Sequence, residues 1–184
     1  RKIRHNPVTL LLLDWERAFD KIDQTALFEA MERMNIDPKL IRLTKQLYKN
    51  EEFYVEMDGI SSTWKKQSTG IRQGCTLSPY LFLIVMTAIF SDVYKDNELV
   101  AELKKNRPPE MSFDEVLYAD DTIIFSTDAF TIEKLLHKIE ECAEPYGLEL
   151  NRKKCETICT DPHYKYKTKT KQRNFISKRK EAKY

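Results

Sequence analysis

The chain has 184 residues, of which 41% are hydrophobic and 33% charged, with a mean hydropathy of −0.57. That suits one domain with a single apolar core. Its longest apolar runs, residues 8–13 and 81–89, fall well short of the roughly 18–20 residues of a membrane span, so a membrane partner is not expected. No charged segment followed by an apolar stretch and a small-residue cleavage site opens the sequence. Cys75, Cys142, Cys155 and Cys159 are too few for a disulfide framework at this length. An intracellular, reducing compartment is expected, nucleus and cytoplasm not being distinguished.

The net charge of +2 conceals an asymmetry. Residues 163–184 hold nine Lys or Arg against one acidic residue, while residues 1–162 hold 22 against 28. The terminal stretch has little apolar content and no period, so it is expected to be a disordered basic tail. Such an arm suits phosphate binding, or no partner at all. The sequence starts with Arg1 rather than Met, so a piece of a longer protein is expected.

Residues 8–13 form a near-continuous apolar run ending in Asp14, which predicts a strand buried on both faces that delivers a carboxylate at its end. Asp23 reads as a helix cap before Leu27, Ala30, Met31 and Met34, and Asp37-Pro38 starts a second helix carrying Leu40, Ile41, Leu43, Leu47 and Tyr48. Residues 53–57 and 63–65 flank Asp58-Gly59 and predict a β-hairpin. Ser78-Pro79 predicts a helix start, with Ser78 as the capping hydroxyl, and the helix to about Tyr94 is apolar enough to lie deep in the core. Residues 96–111, with Pro108-Pro109, read as a linker. Residues 116–118 and 122–125 then predict two strands joined by a tight acidic turn. Ile132, Leu135, Leu136, Ile139, Cys142 and Ala143 mark a helix stopping near Gly147. This order predicts an α+β fold with helices covering one face of an antiparallel sheet.

Three carboxylates stand out because each lies at the end of an apolar strand: Asp14, and the adjacent Asp120 and Asp121. Anions placed side by side repel and lose hydration unless cations or hydrogen bonds compensate. Two Mg²⁺ ions about 3.5–4 Å apart would provide this and would clamp an in-line phosphoryl displacement. On spacing alone, a solvated strand end and ordinary turn formers remain the alternative.

The neighbourhoods add to that. Asp14-Trp15-Glu16-Arg17-Ala18-Phe19-Asp20, the segment Gly70-Ile71-Arg72-Gln73-Gly74-Cys75-Thr76-Leu77-Ser78-Pro79-Tyr80-Leu81-Phe82, and Tyr118-Ala119-Asp120-Asp121 occur in that order, followed by Tyr146-Gly147-Leu148-Glu149-Leu150-Asn151-Arg152-Lys153-Lys154. Together they resemble the reverse transcriptase domain of non-LTR (LINE-type) retrotransposons over about residues 8–160, the basic tail excluded. The resemblance implies a polymerase palm, a ferredoxin-like antiparallel sheet backed by helices, over residues 1–160, with residues 161–184 as tail. It also implies RNA-directed DNA polymerase chemistry: a DNA primer 3′-hydroxyl on an RNA template attacks the α-phosphate of a deoxynucleoside triphosphate, assisted by two Mg²⁺ or Mn²⁺ ions.

Carried over residue by residue, Asp14 and Asp120 would ligate metal, with Asp121 in the same acidic pair. Phe19 would crowd the sugar 2′ position and select deoxynucleotides, or else serve as plain core. Gln73 and Gly74 would lie along the nascent base pair, where glycine permits close approach. Arg72 would face phosphate or solvent. Lys154 would give a proton to the departing pyrophosphate or remain a solvated lysine. Tyr118 is expected to pack under the acidic turn and shape the primer-end site.

Some family features are not matched. Only Arg1, Lys2, Arg4 and His5 stand where finger strands would supply cations, no helical period follows Thr160 where a thumb would begin, and Thr76 replaces a common proline. A fragment lacking full fingers and thumb, inactive in isolation, is therefore expected. A non-enzymatic remnant that binds nucleic acid through its tail, and a group II intron maturase, are the alternatives. Cys155, Cys159 and His163 offer only three ligands in register, so no zinc site is expected, and His137 reads as a surface residue.

Overall fold

The computed structural model of the chain describes residues 7–109, 111–118 and 120–160, and the backbone of 178–181. In chain order it contains β1 (Thr9–Leu13), α1 (Ala18–Lys21), α2 (Gln24–Arg33), α3 (Pro38–Tyr48), β2 (Glu52–Phe53), β3 (Glu56–Met57), β4 (Ile60–Ser61), β5 (Lys65–Lys66) and α4 (Ser78–Val93). Then follow α5 (Asn97–Lys105), β6 (Glu115–Tyr118), β7 (Asp121–Ser126), α6 (Ala129–Ala143), a 3-10 turn (Glu144–Tyr146), β8 (Glu156–Cys159) and β9 (Lys178–Glu181).

The main sheet runs β6-β7-β1-β8-β9, antiparallel except for the β8–β9 pair. Its buried face is set by alternation. Leu11 lies opposite Ile124 on one side and Thr157 on the other, and Thr9, Leu11, Leu13, Thr122, Ile124 and Thr157 are all buried. Helix α4 is the keel beneath this sheet, with Leu81, Phe82, Val85, Met86, Ala88, Ile89 and Val93 all buried and α2 and α6 packed against it. The opposite face is less covered: Leu10 and Leu12 are half-buried, where the sequence predicts burial on both sides of β1.

Side-chain caps define the helix starts. Asp23 accepts from the Ala26 N–H, Asp37 from Lys39, Asp96 from Leu99 and Asp128 from Thr131, each contributing about 0.5–2 kcal/mol. Ser78 differs from its expected role, because it is already the first helical residue, follows Leu77 as the cap position, and makes no side-chain cap bond. Residues 96–111 are not a plain linker. Asp96 caps α5, and Leu99 and Leu103, four residues apart, turn one stripe of it into the interior. On α3 the buried stripe is Ile41, Thr44 and Tyr48, leaving Leu40, Leu43 and Leu47 exposed along an apolar groove of about 560 Å³ facing Tyr80 and Leu83 of α4.

The predicted hairpin forms with positive φ at both Asp58 and Gly59, as a tight β-turn requires. Its two ladders differ by one residue in register, Glu56 facing Ser61 but Phe53 facing Lys65, so the return strand carries an extra residue and bulges. Cys155 and Cys159 are buried, whereas the third member of the considered zinc set, His163, lies outside the described residues. His137 sits 3.7 Å from Glu140. The basic tail also falls outside the described residues, except Lys178–Glu181, which is a strand and not a structureless segment. Among the described residues no helix is long and apolar enough to cross a membrane.

Two contacts fix how the loop before α4 sits on the start of the fold. The Gly70 N–H donates to the Ile22 carbonyl and the Ile71 N–H to the Phe19 carbonyl, each at 2.7 Å. Gly70 has φ +82, and a Cβ there would lie 2.6 Å from the Asp20 carbonyl oxygen. Gly70→Ala is therefore expected to destabilise the domain by more than the roughly 1–3 kcal/mol of the torsion alone, seen as a lowered thermal midpoint.

Asp92 ties α4 to α2. It lies 2.5 Å from Arg33, whose guanidinium also donates to the Tyr146 hydroxyl, and 2.7 Å from Lys95. The hydrogen bond from Arg33 holds the Asp92 carboxyl below its ordinary range, against the opposing effect of burial. A depressed carboxyl contributes stability that is complete above the unfolded pKa, about 4, and is lost as pH falls through the folded value. Asp92→Asn is expected to lower the melting midpoint at neutral pH and to flatten its fall in acid, measured by melts across that range.

Candidate active site

The half-covered face of the sheet carries the acidic residues, placed there by strand register. In the β1–β7 ladder the last pair is Leu13 with Thr122; one residue further along lie Asp14 and Asp121. In the β6–β7 ladder Tyr118 faces Asp121, with Asp120 in the turn just before it. In the β1–β8 ladder Leu12 faces Glu156, and two residues beyond lie Asp14 and Lys154, whose charged groups are 3.9 Å apart. Tyr118, Asp121, Asp14 and Lys154 thus make one row across four chain segments, with Asp120 exposed in the turn beside it. Asp14 alternates with buried Leu13 and shares the face of Leu12, so its carboxylate projects from the less covered side.

The backbone around Asp14 is pinned. Its carbonyl accepts from the Asn151 N–H at 2.8 Å, Trp15 forms a β-bridge with Leu150, and the Glu16 N–H donates to the Glu149 carbonyl. The Trp15 indole N–H donates to the Thr122 hydroxyl at 3.4 Å, joining this zipper to the start of β7. The segment 146–154, quoted above for its resemblance, therefore has a mechanical task in holding the end of β1.

Carboxylate oxygens are the donors that Mg²⁺ and Mn²⁺ prefer, and the chemistry of Asp14, Asp120 and Asp121 fits such ions. Among the described residues, no three His, Cys, Asp or Glu side chains converge closely enough to hold a metal ion. The backbone register sets Asp14 and Asp121 in one neighbourhood.

Phe19 stacks on Phe82 with ring centroids 5.0 Å apart and planes 13° from parallel. Phe82 is wholly buried and Phe19 half-buried, so one face of the ring belongs to the core and part of it reaches solvent. Gln73 donates its side-chain amide to Asp20 at 2.9 Å, linking its loop to the residue after Phe19. Gly74 has φ +82, and among the described residues no atom beyond its chain neighbours lies within 4 Å of where a Cβ would stand, so the loop is open on that side.

Two expected roles change. Arg72 does not point freely toward a phosphate, because its guanidinium pairs with the Glu51 carboxylate and donates to the Leu47 carbonyl, bracing the loop against the end of α3. Tyr118 does not pack under the turn: it is 79% exposed, since it alternates with Leu117 on a strand at the sheet edge.

Two features escape the sequence reading. The Cys75 thiol, just before α4, has its pKa lowered chiefly by the Leu77 backbone N–H. Buried Asp114 and half-buried Glu115 enter a polar cluster with half-buried Arg107 and Tyr94, hidden by the reading of residues 96–111 as a linker. The adjacent Asp114-Glu115 between Phe113 and Val116 is the signal that points to it.

Comparison with known proteins places this geometry. The family model described as reverse transcriptase (RNA-dependent DNA polymerase) matches residues 2–184, running past residue 160, where the motifs end. The chain is 25% identical over 158 residues to the retrovirus-related Pol polyprotein from type-1 retrotransposable element R2 of Nasonia vitripennis. It is 24% identical over 155 residues to the RNA-directed DNA polymerase from mobile element jockey of Drosophila melanogaster. These alignments take in 86% and 79% of this chain, and the chain spans 15% of the length of each of these relatives. Among solved structures, telomerase from Candida Tropicalis in complex with a fragment of telomeric RNA superposes with a TM-score of 0.66 at 17% identity, covering 89% of this chain and 28% of that one. That likeness is one of fold, and it bears out the palm expected from the motifs. A match over nearly every residue, joined to a sheet that carries the acidic motifs at adjoining strand ends, establishes that the chain belongs to the reverse transcriptase family.

Proposed function

We propose that this chain is the catalytic palm of an RNA-directed DNA polymerase of the non-LTR retrotransposon type, joining a deoxynucleotide to a DNA primer on an RNA template. The observation that supports it most is the register that sets Asp14 beside Asp121, with Asp120 in the intervening turn, on the less covered face of the sheet. Asp14 and Asp120 would hold two Mg²⁺ or Mn²⁺ ions, with Asp121 beside them. Ions so bound supply activation of the primer 3′-hydroxyl and neutralisation of the triphosphate.

The chain's own side chains then have distinct tasks. Lys154, next to Asp14 in the row, holds a proton at Nζ for the departing pyrophosphate. The solvent-reaching part of Phe19 stands against the sugar 2′ position, its ring kept from swinging away by the stack on Phe82. Gly74 leaves its side of the loop free for a base pair to approach, and Gln73 keeps that loop on α1. Tyr118, exposed at the end of the row, offers a ring face beside the primer terminus.

The metal assignment is tested by Mn²⁺ titration followed by electron paramagnetic resonance. Asp14→Asn and Asp120→Asn should each weaken binding by about tenfold or more, which corresponds to about 1.4 kcal/mol. Unchanged affinity in both variants would remove the carboxylates from the metal site and the catalytic reading with them.

The role of Phe19 is tested in a longer protein that joins this chain to fingers and thumb, by competition between ribo- and deoxynucleotides for insertion. In Phe19→Ala the preference for deoxynucleotides should fall by about tenfold, on the scale of a steric contact of 1–3 kcal/mol. An unaltered ratio would leave Phe19 as a core residue only.

A further inference from the structure

We propose that Tyr94, Arg107, Asp114 and Glu115 are positioning residues for the acidic turn, coupling it through α4 to the Gln73–Gly74 loop; this rests on the catalytic reading above. Strand β6 carries the turn at one end and among the described residues pairs only with β7, at the edge of the sheet, so its placement depends on what holds its other end. That other end is held by charged groups. Asp114, 4% exposed, accepts from Arg107 at both oxygens, at 2.8 and 2.5 Å. Its carbonyl also accepts from the Phe125 N–H at 3.0 Å, tying it to β7. One residue on, Glu115 accepts from the Tyr94 hydroxyl.

Tyr94 is the C-terminal cap residue of α4. The same helix begins four residues after Gly74 and spans 16 residues, about 24 Å at 1.5 Å per residue. A rigid, buried rod therefore runs from the loop that carries Gln73 and Gly74 to the strand that ends in the acidic turn. Arg107 completes the frame, because its own segment is stapled to the far end of β7: the Asn106 carbonyl accepts from the Thr127 N–H and from the Ser126 and Thr127 hydroxyls.

The chemistry of this cluster favours geometry over stability. A buried ion pair gains little over apolar packing of the same volume, and burial pushes the Glu115 carboxyl above its ordinary range, so the fold tolerates Glu115 at some cost. The directional bonds at Asp114 and Glu115 give the edge strand one placement. A cavity of about 250 Å³, lined in part by Tyr94, Leu103, Arg107, Asp114 and Glu115, leaves room for the strand end to shift once those bonds are lost.

The test compares Tyr94→Phe, which deletes only the hydroxyl, with Glu115→Gln, which keeps an acceptor for it. Amide hydrogen exchange over residues 115–123, read without metal, should quicken about tenfold in Tyr94→Phe, the scale of one hydrogen bond to a charged group. Glu115→Gln should stay close to the parent chain, and exchange in α2 and α6 should not move in either. Mn²⁺ affinity of Tyr94→Phe should fall by about three- to tenfold, an effect that a general loss of stability in a still-folded chain would not produce. Hairpin exchange equal to that of the parent chain, or exchange raised evenly across the protein, would overturn the proposal. A parent chain whose Mn²⁺ affinity is untouched by both Asp14→Asn and Asp120→Asn would overturn the catalytic reading instead, with the exchange result still judging the mechanical link.

Discussion

The antiparallel pairing of β1 with β7 on one side and β8 on the other is the constraint on which the site depends. Side chains on a strand alternate between faces, so a slip of one residue would send Asp14 into the packed layer and Leu13 toward solvent. Leu11 and Leu13, buried between the sheet and α4, make that slip costly. Fully burying one such side chain contributes about 1.5–3 kcal/mol. Hydrophobic burial on the helix side thus fixes where the charges stand on the other. The acidic site needs no bonds between its carboxylates to bring Asp14 beside Asp121; the backbone ladder does that.

The site's surroundings follow the same economy of means. The loop before α4 rests on α1 through main-chain bonds at Gly70 and Ile71, while the zipper of 149–151 along residues 14–16 closes the other flank. Each flank uses backbone groups and leaves Lys154 and the solvent-reaching part of Phe19 facing the site. Gln73 and Arg72 add side-chain braces, Gln73 to Asp20 and Arg72 to Glu51 and Leu47.

Much of this was legible in the sequence where a pattern carries its own physics. The run of residues 8–13 ending in Asp14, the Asp caps before α2 and α3, the Asp58-Gly59 turn and the apolar α4 all formed where expected. The palm fold was legible from three motifs in order, and the family match agrees. What failed depended on tertiary context. The helical stripe of α5 has only Leu99 and Leu103 buried, too few for periodicity to stand out against Pro108-Pro109. Tyr118, expected to pack under the acidic turn, stands instead on the edge strand, which can turn an aromatic side chain outward. Arg72 looked free because its partner Glu51 is 21 residues away. The roles proposed for Asp14, Asp120, Asp121 and Lys154 rest on resemblance and register together.

The two loop glycines share a torsion and differ in surroundings. At position 70 the carbonyls of Phe19 and Asp20 leave no volume for a methyl group, whereas at position 74 none of the described residues beyond its chain neighbours stands in the way. The restriction at 74 is thus one of handedness alone. A D-alanine introduced there by chemical synthesis would favour the native left-handed twist and narrow the wandering of the loop. Shape and mobility, usually changed together by any substitution, can be separated at that one residue.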